Sequence, residues 1–113
     1  MNREIKFRYW SEDTKEMVYG KKAFGILNEI IQLNLIVANT MQYTGLKDKN
    51  GKEIYARDII EKGGLRFEVL FDNGSFIIMR EKRKHMDYLL GNASSAEVIG
   101  NVWENPELLK KEK

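Results

Sequence analysis

One imidazole, no thiol, and carboxylates set among turn residues define the chemistry this chain could perform. Without cysteine, disulfides, thiol catalysis and cysteine-ligated zinc or iron–sulfur sites are excluded. The single histidine, His85, cannot supply a histidine pair or the usual carboxylate-oriented metal triad. It lies in Lys84-His85-Met86-Asp87, and that charged company predicts a surface or loop position. A catalytic role would need a partner nucleophile, and the sequence nominates none. Asp48 and Asp58 flank a central turn and Asp72 opens another. Turns favour Asp because its side chain accepts hydrogen bonds from nearby backbone N–H groups. Carboxylate acid–base or metal chemistry would require these groups to converge in space, which their spacing does not itself achieve. Gly51-Lys52-Glu53 lacks the Ser or Thr with which a phosphate loop opens a helix. The expectation is no catalytic, cofactor or metal site, and no cofactor.

Two basic clusters offer a different chemistry. Lys47, Lys49 and Lys52 decorate the central turn, and Arg80, Lys82, Arg83 and Lys84 follow an apolar run. Such cations could contact phosphates while Tyr43, Tyr55 or Phe76 stacked on bases. Asp48, Glu53 and Glu81 interrupt both clusters, however, and a solvated rim that discourages edge-to-edge strand pairing is the commoner use of such charge. Nineteen basic against seventeen acidic side chains leave a net charge of +2, small for a dedicated nucleic-acid binder.

The elements that must position these residues read as strands. Ile5, Phe7 and Tyr9 alternate with Lys6 and Arg8, the period of a half-buried strand, with residues 17–19 returning after a polar turn at 11–14. Residues 24–37 fit either a helical face or a strand, and we read a short helix followed by a strand. Residues 41–60 form a hairpin-like unit around Asn50-Gly51, where a type I′ turn would place both residues at positive φ. Gly63-Gly64 and Asp72-Asn73-Gly74 separate further apolar runs, and the charged stretch 80–84 ends the meander. Residues 97–103 read as a last strand with a bulge or tight bend at Gly100. Pro106 suits the first position of a short helical turn. Phe7, Tyr9, Phe67, Phe71 and Trp103 are expected in the core, with Phe7 and Trp103 in a shared or adjacent part of it. Short strands with turns every ~8–12 residues argue for a mainly β sandwich or small barrel.

With 113 residues the chain suits one domain. Hydrophobic residues at 42% and charged residues at 32% give a soluble globular balance. The N-terminus interleaves charge where a signal peptide needs an apolar core. The longest apolar-leaning run, residues 26–38, falls short of a membrane span. A cytoplasmic protein without a membrane partner is the default expectation.

Four blocks carry a family likeness. They are Phe7-Arg8-Tyr9-Trp10; Gln42-Tyr43-Thr44-Gly45-Leu46-Lys47-Asp48 with Asn50-Gly51-Lys52; Glu53-Ile54-Tyr55 followed by Asp58-Ile59-Ile60; and Glu97-Val98-Ile99-Gly100-Asn101 leading into Glu104-Asn105-Pro106-Glu107-Leu108-Leu109. In this order they resemble the YopX-like family, small proteins found mostly in phages and prophages of Gram-positive bacteria. Many relatives resemble Tyr-Glu-Gly-Asp where this chain has Tyr55-Ala56-Arg57-Asp58. The resemblance implies one domain over 1–113, with a β-rich extension at 1–40 and a small SH3-type barrel at 41–109. It implies no activity and no site residues. The expected function is therefore a non-catalytic interaction module for an unidentified protein partner, with homo-oligomers compatible. A nucleic-acid-binding barrel is the alternative, and a carboxylate- or metal-dependent enzyme ranks third.

Overall fold

A computed structural model describes residues 6–19, 40–81 and 84–109. The described residues are 59% strand and 9% helical, a mainly β protein. The short helix expected within residues 24–37 lies outside the described residues. The chain divides into two units, Met1–Tyr43 and Thr44–Lys113.

In the first unit, β1 (Phe7–Ser11) lies between β2 (Glu16–Tyr19) and the start of β3 (Thr40–Lys47), antiparallel to both. The turn between β1 and β2 is held by the Lys15 N–H donating to the Ser11 carbonyl at 2.8 Å. The alternation expected of β1 is present, but the opposite face is buried. Arg8 and Trp10 are buried, while Phe7 and Tyr9 are half-buried. Phe-Arg-Tyr-Trp carries apolar groups on both parities, and a one-residue difference in parity exchanges the faces. Trp10 and Arg8 thus share a face with Met17 and the fully buried Met41, their partners in register.

The second unit continues β3 into β4 (Glu53–Tyr55), followed by β5 (Asp58–Lys62), β6 (Leu65–Asp72), β7 (Ser75–Arg80), β8 (His85–Tyr88) and β9 (Glu97–Asn101). Five of these form a curled antiparallel sheet in the order β8-β7-β6-β5-β9. Its core face is built by Ile60, Val69, Phe76, Ile78 and Val98, closed by Leu89, Ala93 and Ala96. Of the aromatics expected in the core, Phe67 packs against this cluster and Trp103 is half-buried. Phe71 is 53% exposed, because it sits beside the β6–β7 turn and leans edge-on against the buried Phe76 at 4.9 Å.

The turns redistribute the expected geometry. Asn73 and Gly74 (φ 50° and 80°) join the paired Asp72 and Ser75, and Gly63 and Gly64 (61° and 81°) join Lys62 and Leu65. These are the two-residue hairpins with two positive φ values. Asn50-Gly51 differs: only Gly51 has positive φ (82°). Gly51 N–H donates to the Asp48 carbonyl at 3.0 Å and Asp48 N–H to the Lys52 carbonyl at 2.8 Å. That pattern is a three-residue loop, a type I turn closed by a left-handed glycine. The charged stretch after β7 does not end the meander either, since β8 follows it and pairs with β7 along its length. The register shift expected near Gly100 is present, between the Ile59 and Ile60 pairings of β5 with β9. Pro106 opens a short 3₁₀ turn, Pro106–Leu109.

Candidate functional site

Asp48 is the most heavily used polar side chain of the central loop. Its Oδ1 accepts the N–H groups of Asn50 and Lys52, each at 2.9 Å, and its Oδ2 accepts that of Val98 on β9, also at 2.9 Å. The residue is 6% exposed. Burial raises the pKa of the carboxyl, but the three N–H donors and the Lys52 charge outweigh it and hold the pKa below the ordinary value. The carboxylate thus fastens the β3–β4 loop to the last strand. Its oxygens face backbone donors, an arrangement suited to holding a loop rather than to proton transfer.

Arg57 has φ 75°, in the left-handed region that glycine tolerates best. Backbone bonds clamp it, with Arg57 N–H on the Val69 carbonyl at 2.7 Å and Val102 N–H on the Arg57 carbonyl at 3.0 Å. The guanidinium Nε meets Glu68 Oε2 at 2.6 Å, and its Cζ lies over the Trp103 ring, 5.3 Å from the centroid. Asp58, almost fully buried, closes the same turn by accepting the Tyr55 N–H at 2.8 Å. Downstream, Asn101 Oδ1 accepts the N–H groups of Trp103 and Glu104, and its Nδ2 donates to Glu104 Oε2 at 2.8 Å. Asn105 Oδ1 accepts the Asn101 N–H at 3.2 Å and occupies the space a Cβ on Gly100 would need. Asp48, Asp58, Asn101 and Asn105 of the family-like blocks thereby act as holders of turns, and Gly100 makes room for the last of them.

Among the described residues, the basic clusters gain no exposed ring from Tyr43, Tyr55 or Phe76. Lys47, Lys49 and Lys52 are exposed around the central loop, and Lys49 Nζ lies 3.8 Å from Glu97. Arg80 is half-buried with its guanidinium 3.5 Å from Glu81, Lys84 is exposed, and Lys82 and Arg83 lie outside the described residues. Tyr43, Tyr55 and Phe76, the candidate base-stacking rings, are all buried at 8% exposure or less, so none offers a face to a base. His85 is on the surface, as its charged neighbours suggest, but on a strand rather than a loop. Its Nε2 lies 3.2 Å from Glu81 Oε1. Among the described residues no group of three or more His, Asp or Glu is placed to hold a metal ion. No helix among them is long and apolar enough to cross a membrane.

A surface that the sequence reading passed over stands at the β8 end of the sheet. All four residues of β8 are exposed, and β8 terminates the strand order. The pairings place Tyr88 beside Ile77 and Leu70, and Met86 beside Met79 and Glu68, on the face opposite Val69 and Ile78. Tyr88 is 65% exposed, Met86 53%, and Leu90 just beyond the strand 77%. The available signal was the alternation of Met86 and Tyr88 with His85 and Asp87, masked by the charges around it.

The sequence model of a family described as YopX protein matches residues 6–110. Among solved structures, protein EF1440 from Enterococcus faecalis aligns with a TM-score of 0.63 at 24% identity, covering 96% of this chain and 100% of that one. At that identity the likeness shows a common fold. No curated protein matches.

Proposed function

Starting from the chain's membership of the YopX family, we propose that it is a non-catalytic interaction module that docks a protein partner on the β8 rim of its second unit. The carrying observation is the apolar band of Leu70, Ile77, Met79, Met86 and Tyr88, whose members are buried or half-buried on β6 and β7 and openly exposed on the terminal strand β8. Exposed Tyr and Met beside backbone groups at a sheet end are the materials of strand-addition recognition. The polar side chains that could do chemistry, Asp48, Asp58 and Asn101, are instead engaged with backbone donors. In the same reading the protein is phage- or prophage-borne and acts in the cytoplasm of a Gram-positive host, and its second unit is an SH3-type barrel. The Enterococcus origin of the structural neighbour supports the host assignment.

The test is position-specific photo-crosslinking in bacterial cells. A photoreactive residue in place of Tyr88 is expected to give discrete protein adducts, and one in place of the exposed Lys15 none. Equal or absent adducts at the two positions would sink the proposal. DNA or RNA binding that weakens steeply with salt, and disappears when Lys47, Lys49 and Lys52 become Glu, would replace it with a nucleic-acid function.

A further inference from the structure

The β8 rim has a feature that selects among protein partners: its charges are arranged to complement themselves. We infer that β8 pairs antiparallel with β8 of a second copy of this chain, about a two-fold axis through Met86. The inference rests on the reading of β8 as a docking edge and names its occupant.

Joining two copies of an edge strand antiparallel in one continuous sheet requires a two-fold axis perpendicular to the sheet. That axis keeps each face on its own side, so a residue of one parity can oppose only residues of the same parity. The centre of symmetry must therefore fall on a residue. Centring on Asp87 sets two carboxylates directly opposite each other, and centring on His85 opposes two imidazoles; like charges in directly opposite positions destabilise a strand pair. Centring on Met86 opposes His85 to Asp87 twice, Met86 to Met86, and Lys84 to Tyr88.

In that register each imidazole meets a carboxylate, an aromatic ring meets a lysine stem, and the outer apolar band continues from one copy into the other. One local contact is compatible and one must be exchanged. His85 Nε2 lies near Glu81 Oε1, which leaves the second ring nitrogen for the second copy. Asp87 Oδ1 accepts the Tyr88 N–H at 2.8 Å, and since the Leu89 N–H bonds to Phe76 on β7, the Tyr88 N–H points outward; pairing requires it to leave Asp87 for the Lys84 carbonyl of the second copy, which frees the carboxylate for that copy's imidazole. A strand of four residues makes a small junction. The dimer is therefore of the weak, concentration-dependent kind, at the low end of interface sizes.

Sedimentation equilibrium on the full chain tests this directly. The wild type is expected to show a reversible monomer–dimer equilibrium. His85→Glu sets glutamate against Asp87, and Asp87→Lys sets lysine against His85, so each should weaken self-association roughly tenfold or more. An equimolar mixture of the two variants restores complementarity, with Glu opposite Lys on one side and His opposite Asp on the other, and should associate as well as the wild type. Should either variant fail to fold, Met86→Cys gives a second measurement. The chain has no other cysteine, and a residue lying on the two-fold should form an intermolecular disulfide on mild oxidation. Ser94→Cys, exposed elsewhere on the same unit, should not.

A monomeric wild type, variants that dimerise undiminished, a mixture no better than its components, or equal crosslinking at 86 and 94 would each overturn the inference. A monomeric wild type that still gives Tyr88-specific adducts with other proteins would overturn the self-pairing alone. Loss of both results would overturn the docking edge itself.

Discussion

Asp48 is where burial and hydrogen bonding compete most visibly. Its depressed pKa means that the folded state holds the carboxylate more tightly than the unfolded chain does. The stability it contributes is complete above the unfolded pKa of about 3.9 and is lost as pH falls through the lower folded value. Asp48→Asn keeps one acceptor but brings an amide N–H₂ toward backbone donors. It should cost about 1–3 kcal/mol near neutral pH and flatten the acid limb of a stability–pH curve measured by denaturant titration. A second test concerns Arg57. Arg57→Ala and Arg57→Gly both remove the contacts with Glu68 and Trp103, but glycine also relieves the left-handed backbone. The glycine variant should be the more stable of the two by about 1 kcal/mol in denaturant midpoints. At Gly51, with φ 82° and nothing near its missing Cβ, Gly51→Val should cost on the order of 1–2 kcal/mol through backbone strain rather than collision.

At the scale of elements, the last strand and the turn after it form one unit. A Cβ on Gly100 would stand 2.5 Å from Asn105 Oδ1. Gly100→Ala must therefore displace the carboxamide that receives the Asn101 N–H, and should destabilise by about 1–3 kcal/mol. In the Asn105→Ala background the same substitution should cost clearly less, which a double-mutant cycle would show. Hairpin positions were largely legible because glycine and asparagine punctuate the chain. Asn73-Gly74 and Gly63-Gly64 sit where the apolar runs break. Turn type at Asn50-Gly51 was not legible, since it depends on Asp48 reaching Val98, fifty residues away. Nor was the buried face of β1, because Phe7, Tyr9 and Trp10 occupy both parities. β8 was hidden for another reason: a strand exposed on both faces has no core-derived alternation, and its pairing with β7 is made by the backbone.

Over the molecule as a whole, the described residues fall into two units. In the second unit, β5 and β6 lie inside the sheet and carry the fully buried Ile59, Ile60 and Val69. Their amides should exchange with solvent slowest in native-state hydrogen exchange, and those of β8 fastest among the sheet strands. The reverse order would contradict the sheet arrangement. The two tryptophans add an optical consequence. Trp10 is buried in the first unit, and Trp103 is half-buried in the second beneath a guanidinium. Each unit therefore contains one indole, and a pair of single substitutions, Trp10→Phe and Trp103→Phe, would leave a fluorophore reporting on one unit alone. Superimposable unfolding curves from the two proteins would mean that the units melt together, and separated curves that each has its own cooperative transition.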